Sequence, residues 1–273
     1  MALRVNTNLG ALQAQRALSL VSSKVDTNLQ RLSSGLRVNS AADDAAGLAV
    51  SEQLGSAVRG FNQLIRNAND GISLIQVGES ALGEISNGLT RLRELALQSA
   101  NGTLSDTDRN AIHQEFSALT AELDRIAKTT EFSSTYPING SSSLNLQVGL
   151  NSGGNNVIVL NSVNASVSAL GISGLSVSTQ AGSTATLDKI SSALTTVSSF
   201  RAAFGAAQNR LTMSIRSLSV AIENNTAAQS RIRDVDVASE ASELAKNQII
   251  QQASVAALAQ ANASGQLALK LLS

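Results

Sequence analysis

Apolar side chains recur every three or four residues along most of this chain, and this repeat restricts the folds that it can adopt. In the most regular stretch the mean spacing is 3.5 residues, which is typical of helices that pack lengthwise against one another. The members of this stripe are Leu54, Val58, Phe61, Ile65, Ala68, Ile72, Ile75, Glu79, Leu82, Ile85, Leu89, Leu92 and Ala96. At about 1.5 Å per residue, a helix over this stretch would be roughly 60 Å long.

Two further stripes cover residues 5–36 and 187–222, and polar side chains interrupt the three stripes at only four positions. These positions are Gln15, Glu79, Arg201 and Gln208. Lone polar residues can fix the register between packed helices. The alternative is that these positions lie at the rim of the bundle and face water.

The repeat gives way to a region rich in Ser, Asn and Gly at about residues 133–186. Two short apolar runs, residues 144–150 and 157–160, flank a polar turn there and predict a β-hairpin. The helices on either side of this insertion must then pack against each other through their apolar stripes. We therefore predict a mainly α chain: a long antiparallel helical rod or coiled-coil bundle with a small β-hairpin region inserted between the helices.

Composition supports a helical chain whose two ends lack a core of their own. There is one proline among 273 residues, where average usage would give roughly 14, and proline is the residue that helix interiors exclude. No aromatic residue precedes Phe61 or follows Phe204. Because aromatic side chains dominate compact cores, we expect the two ends to pack against each other or against neighbouring copies.

The residues that usually carry catalysis or bind metals are scarce. The chain has no cysteine and one histidine, His113, and its formal net charge is zero. The chain therefore has too few cysteines and histidines to favour a zinc site or a Ser-His-Asp triad. Its zero net charge gives no indication of nucleic-acid binding. His113 is interpreted as a solvated or paired surface residue. We expect no enzymatic activity, no cofactor and no metal.

A polar connector interrupts the apolar pattern within residues 31–54. Gly35 and Asn39 favour a helix end and a turn, and Ser40 with Asp43 has the spacing of a capping box that would open the next helix. A similar box at Ser105 and Asp108 predicts another helix start. Gly35, Asn39, Ser40 and Asp43 are thus predicted to form a joint between two helical segments.

Several segments of the chain carry distinctive residue combinations: VNTN at residues 5–8, RLSSGLRVNSAADDAAGLAVSEQL at 31–54, NANDGIS at 67–73, LRELA at 92–96, SRIRDVD at 230–236, QQA at 251–253 and AQAN at 259–262. Their sequences, in this order at both ends of the chain, resemble those of bacterial flagellins. The resemblance covers about residues 3–130 and 187–272. It implies a minimal flagellin with two domains: a terminal coiled-coil domain of residues 1–42 and 230–273, forming the inner layer of a filament, and a rod domain of residues 43–229.

The resemblance also implies a function and partners. The function is that of a structural subunit, secreted and extracellular, which polymerises with itself into the filament used for swimming. The implied partners are the flagellar export apparatus, an export chaperone that binds the helix at residues 234–272, and hook-associated and cap proteins. Nucleic-acid binding and membrane insertion are not expected. Arg91, Leu95 and Glu115 align with the flagellin surface that animal Toll-like receptors recognise.

Two alternatives remain open from the sequence. A flagellin-like hook-associated junction protein would share the same ends. A soluble coiled-coil adaptor is compatible with the heptads but not with the family segments.

Overall fold

The computed structural model describes residues 7–140 and 143–270, and helices dominate it. Five α-helices and a two-stranded sheet follow one another along the chain: α1 (Leu9–Ser34), α2 (Ala45–Ser99), α3 (Asp106–Thr129), β1 (Leu144–Gln147), β2 (Val157–Leu160), α4 (Gln180–Arg233) and α5 (Val237–Lys270). Helix accounts for 74% of the described residues. The prediction of a mainly α chain with one small hairpin region is confirmed.

The helix ends carry the capping residues that the sequence supplies. Asn8 accepts a hydrogen bond from the Ala11 N–H at 3.1 Å and so caps the start of α1. At α3 the predicted capping box is present, because Ser105 Oγ accepts from the Asp108 N–H and Asp108 Oδ2 accepts from the Ser105 N–H. None of the described helices is both long and apolar enough to cross a membrane.

The predicted hairpin is an antiparallel pair in which Leu144 lies opposite Leu160 and Gln147 lies opposite Val157. Leu146, Ile158 and Leu160 are buried on one face of this pair and join the apolar core. The hairpin is therefore held by side-chain burial as well as by its ladder of backbone hydrogen bonds.

The chain forms two compact units, the larger of which is made by residues 58–222. Its core is a continuous apolar cluster contributed by α2, α3, α4 and the hairpin. The largest fully buried side chains on the three helices are Ile75, Leu82, Ile85, Leu89, Leu92, Leu95, Phe116, Ile190, Phe204 and Leu211. The apolar stripe of α2 thus joins this core from Ala68 to Ala96, with Glu79 as the exception.

The second unit joins the residues up to 57 with those from 223 onward, and it has little apolar core. Among its described residues, the buried large apolar side chains are Val25 and Val38. Its other buried side chains include Asn28 and Asn247, which are polar. The expectation that the chain ends build no core of their own agrees with this burial.

Candidate assembly surface and connector

The connector after α1 is paired with the link between α4 and α5. Gly35 ends α1 in the left-handed conformation, with φ 70°, which glycine adopts at little cost. The Arg37 N–H then donates to the Arg233 carbonyl at 2.7 Å, and the Val235 N–H donates to the Gly35 carbonyl at 3.0 Å. Two chain segments almost 200 positions apart are in this way joined by backbone hydrogen bonds.

A tight polar turn follows, organised around one carboxylate. Asp43 Oδ2 accepts from the Asn39 N–H at 3.2 Å, the Ser40 N–H at 2.9 Å and the Ser40 hydroxyl at 3.0 Å. The backbone hydrogen bond from Ser40 is the main cause that lowers the pKa of Asp43 below its ordinary value. Arg31 Nη2 lies 3.8 Å from Asp43 Oδ1 and adds a favourable charge.

The prediction that Ser40 caps the second helix is wrong by one turn. Asp44 Oδ1 accepts from the Gly47 N–H at 2.9 Å, and α2 begins at Ala45. Asp44 therefore has the position of the cap, and the Ser40 hydroxyl donates to Asp43 instead of accepting from a helix N–H. Two consecutive aspartates made both readings compatible with the sequence, and the second carboxylate is the one placed at the helix end.

Exposed apolar side chains are concentrated on the first and last helices. Among the side chains that the structure describes, eight large ones are exposed there, four on each helix: Leu9, Leu12, Leu20, Leu29, Val237, Ile249, Ile250 and Val255. Leu20 and Ile249 each leave 67% of their surface accessible. Extended apolar exposure on a water-soluble chain usually marks a surface that another molecule covers.

Polar side chains, by contrast, join α1 to α5 in antiparallel register. From one end of the pair to the other, Asn8 Nδ2 donates to the Ala261 carbonyl at 2.9 Å, and Gln251 Nε2 donates to Ser22 Oγ at 3.1 Å. Asn247 Nδ2 donates to Asn28 Oδ1 at 2.9 Å. We call these contacts, together with that of Asn28 to Glu240, the polar ladder.

The polar ladder was not anticipated from the sequence. Asn28 and Asn247 are 8% and 7% exposed and therefore form the most buried part of the ladder. Each lies beside apolar positions on its own helix, but nothing local indicates that two asparagines 219 positions apart meet. Arg31 Nη1, at 4.0 Å from a Glu240 carboxylate oxygen, extends the ladder toward the Asp43 turn.

The four polar positions of the apolar stripes behave differently from one another. Glu79 and Arg201 form an ion pair across α2 and α4, with 3.6 Å between Oε1 and Nη2. Both side chains are more than a third exposed, so the pair lies at the edge of the core. Gln15 is exposed and Gln208 is half-buried. The interpretation that these positions lie at the rim and face water fits Gln15. The ion pair of Glu79 with Arg201 links α2 to α4.

The structure brings together two of the three residues of the candidate receptor patch. Arg91 Nη2 donates to Glu115 Oε1 at 2.8 Å and Nη1 donates to Glu94 Oε2 at 3.0 Å. The hydrogen bond that Arg91 donates to Glu115 is the largest cause that raises the pKa of Arg91. Leu95 is only 2% exposed and lies in the apolar core, so it is not part of the surface that carries Arg91 and Glu115.

The burial of Leu95 has a simple geometric reason. Positions 92, 95, 96 and 99 of α2 all face the core, and Leu95 is part of that stripe. Arg91 lies at the edge of the same face, where a long side chain can reach the solvent. A spacing of four residues therefore places two side chains on neighbouring positions without making both of them accessible.

His113 is half-buried and has partners. Its Nδ1 accepts from the Val177 N–H at 3.5 Å, and its ring stacks on Phe116 with 6.5 Å between centroids. Within the described ranges, no three His, Asp or Glu side chains are grouped as a metal site requires.

Comparison with known proteins agrees with these features. The family model described as the bacterial flagellin N-terminal helical region matches residues 5–143, and the C-terminal helical region matches residues 187–272. The chain is 42% identical over 269 residues to a flagellin of Halalkalibacterium halodurans, covering 98% of this chain and 99% of that protein. It is 40% identical over 283 residues to the flagellar filament 30.7 kDa core protein of Treponema maltophilum, with the same two coverages.

Solved structures show the same architecture. The crystal structure of Bacillus cereus flagellin is 29% identical, with a TM-score of 0.51, and the match covers 56% of this chain and 88% of that one. A putative flagellar hook-associated protein from Vibrio parahaemolyticus matches at 17% identity with a TM-score of 0.59, over 70% of this chain and 100% of that one. The second likeness concerns the fold alone. The family models and the relatives matched over nearly their whole length show that this chain belongs to the bacterial flagellin family.

Proposed function

We propose that this chain is a structural subunit that polymerises with itself into the helical filament of the bacterial flagellum. The observation that carries the proposal is the set of large apolar side chains that α1 and α5 leave exposed although the two helices already pack against each other. Covering that surface with further copies would remove large apolar side chains from water, which drives association. Relatives named flagellin or flagellar filament core protein, at 38–42% identity, support the same role.

The junction-protein alternative is not favoured. The support for it is a likeness of fold at 17% identity, whereas proteins named as flagellins or filament core proteins match over at least 98% of this chain. The exposed apolar side chains suit a subunit that is surrounded by copies of itself.

We further propose that residues 1–42 and 230–273 form the inner layer of the filament and that residues 43–229 lie outside it. The support is the contrast between the two units, because residues 58–222 contain a continuous apolar core and the terminal unit does not. A segment that lacks a core gains most from burial between subunits.

Substitutions on the exposed face test this assignment. Leu20→Gln with Ile249→Gln should abolish sedimentable filaments while the monomer keeps its helix content by circular dichroism, because both side chains are exposed. The matched control is Gln30→Ser, which exchanges one exposed polar side chain of α1 for another and should polymerise normally. Normal filaments from the Leu20 and Ile249 variant would contradict the inner-layer assignment.

The proposed partners before and after export rest on the likeness to flagellins. In the cell, the exposed apolar side chains of α5 require cover, and a flagellin export chaperone could supply it by binding the helix in a groove. The chain would then pass through the flagellar export apparatus, act outside the cell, and meet hook-associated and cap proteins at the filament ends. Chaperone capture by a chain that lacks residues 234–273 should fail, whereas a chain that lacks residues 1–30 should still be captured.

A further inference from the structure

The turn between α2 and α3 contains an Asn-Gly pair whose geometry suits a spontaneous reaction. The sequence has three such pairs, at Asn87, Asn101 and Asn139, each followed by glycine. Asn101 and Gly102 are both exposed and lie outside any helix. Asn87 is also exposed, but it lies within α2. Exposure alone therefore does not distinguish these two asparagines.

The state of the following backbone N–H does distinguish them. Inside α2, the Gly88 N–H belongs to the helical hydrogen-bond ladder, and freeing it requires local opening of the helix. Within the described residues, the Gly102 N–H donates no hydrogen bond. The nitrogen after Asn101 is thus available to react, and the one after Asn87 is not.

The side chain of Asn101 is folded over that nitrogen. Its Oδ1 accepts from the Thr103 N–H at 3.3 Å, which closes a turn around the Gly102 peptide and holds the side-chain carbonyl near it. The Thr103 N–H thus points at Asn101 Oδ1, the oxygen that would gain negative charge if the Gly102 nitrogen attacked Asn101 Cγ. A donor placed at such an oxygen lowers the barrier to addition at a carbonyl.

We propose that Asn101 is a site of spontaneous deamidation. The Gly102 nitrogen forms a bond to Asn101 Cγ, and the side-chain amide nitrogen leaves as ammonia, taking the proton of the Gly102 N–H. The cyclic imide that results is opened by one water molecule at either of its carbonyls, which gives aspartate or isoaspartate. Water is the only co-reactant, so the change requires no enzyme.

The surroundings can accept the charge that the reaction creates. In the isoaspartate product, the former backbone carbonyl of Asn101 becomes the free carboxylate. That carbonyl accepts from Arg109 Nη2 at 2.9 Å, and the Arg109 residue is only 4% exposed. The new carboxylate would therefore face a buried guanidinium, a charge-assisted pairing. The products are compatible with the folded turn.

Asn139 is expected to react at an intermediate rate. It pairs with Asn164 in an isolated antiparallel bridge, and the neighbouring Ala165 N–H donates to the Ile138 carbonyl at 2.9 Å. This pairing restricts the backbone more than the turn at Asn101 does, although less than a long helix.

Isotope labelling of the full chain tests the proposal. The folded protein is incubated in mildly alkaline buffer prepared with heavy-oxygen water, and digested peptides are followed by mass spectrometry. Label should enter at Asn101 at least about tenfold faster than at Asn87, since opening a core helix costs more than the free energy equivalent to a factor of ten. In guanidinium the two rates should converge, because the helix no longer protects Gly88.

Gly102→Ala is the structure-preserving variant. A Cβ at this position would meet its nearest atom, Gln180 Nε2, at 3.7 Å, an ordinary contact, and the glycine does not need a positive φ. The methyl group hinders the attacking nitrogen, so labelling at Asn101 should slow several-fold while that at Asn87 stays unchanged. Equal rates at Asn87 and Asn101 in the folded protein would overturn the proposal, as would a tenfold ratio that persists in guanidinium.

Discussion

Arg91 and Leu95 are one turn apart on α2, yet the first is exposed and the second is part of the apolar core. Substitution of Leu95 should therefore change the stability of the monomer, and substitution of Arg91 should change the binding properties of its surface. Leu95→Ala is expected to lower the free energy of unfolding by about 2–5 kcal/mol, because it leaves a cavity among buried side chains. Chemical denaturation of the monomer measures this loss.

Arg91→Ala should leave the stability of the monomer nearly unchanged, because exposed ion pairs contribute little. If the Arg91–Glu115 pair forms the proposed Toll-like receptor surface, the same variant should weaken binding of the monomer about tenfold or more, as the loss of a central arginine contact does. Intact filament should activate the receptor poorly. Equal signalling by the Arg91→Ala and parent monomers would show that recognition lies elsewhere.

Asp43 makes the connector turn sensitive to acid. Its pKa is lowered in the folded chain, so its stabilising contribution is present above the ordinary value of 3.8 and is lost as the pH falls through the lowered value. Asp43→Asn should therefore destabilise the chain at neutral pH, and the difference from the parent should shrink below pH 3.8. Denaturation curves at the two pH values test this.

At the scale of helices and strands, the sequence predicted the elements that depend on residues close together along the chain. The stripe from Leu54 to Ala96 forecast α2, the change of period forecast the hairpin, and Ser105 with Asp108 forecast the start of α3. The start of α2 was misplaced because Ser40 and Asp44 each have a side chain that can cap a helix. The register of α1 against α5 could not be foreseen, because it depends on contacts between residues more than 200 positions apart.

The polar ladder should set that register. Asn28→Leu alone leaves the Asn247 amide without its partner and should cost about 1–3 kcal/mol. Asn28→Leu with Asn247→Leu should recover most of that loss but weaken the choice of register, as happens when a lone buried polar pair is removed from a coiled coil. Thermal unfolding of the single and double variants measures the first effect.

Cysteine pairs can report the register, since the natural chain has no cysteine. Ser22→Cys with Gln251→Cys replaces side chains that are in contact at 3.1 Å, and it should cross-link in the parent and in the Asn28, Asn247 double variant. Ser22→Cys with Val255→Cys reports a shift of one helical turn and should cross-link only in the double variant. If neither background yields the shifted cross-link, the asparagines do not set the register.

At the scale of the whole molecule, the sequence predicted the connector as a joint. Within it, Gly35 has the left-handed backbone conformation, with φ 70°. The connector lies in the same compact unit as the link between α4 and α5, and Gly35, Arg37 and Val38 are joined to that link by backbone hydrogen bonds. Subunits in a supercoiled filament must differ slightly in length, and switching of this kind requires packings that differ by only a few kcal/mol. A strained residue at Gly35 should alter that balance.

Gly35→Ala is therefore expected to change filament shape more than monomer stability. Alanine at φ 70° costs about 1 kcal/mol, and its Cβ would meet no atom within 4 Å, so the effect arises from the backbone alone. Gly205→Ala is the matched control, because its Cβ also meets no atom within 4 Å, and alanine favours a helix interior by about 1 kcal/mol. Electron microscopy of the two filaments should show an altered waveform for Gly35→Ala and the parent waveform for Gly205→Ala. An unchanged waveform for Gly35→Ala, together with normal swimming, would mean that the connector does not adjust subunit length.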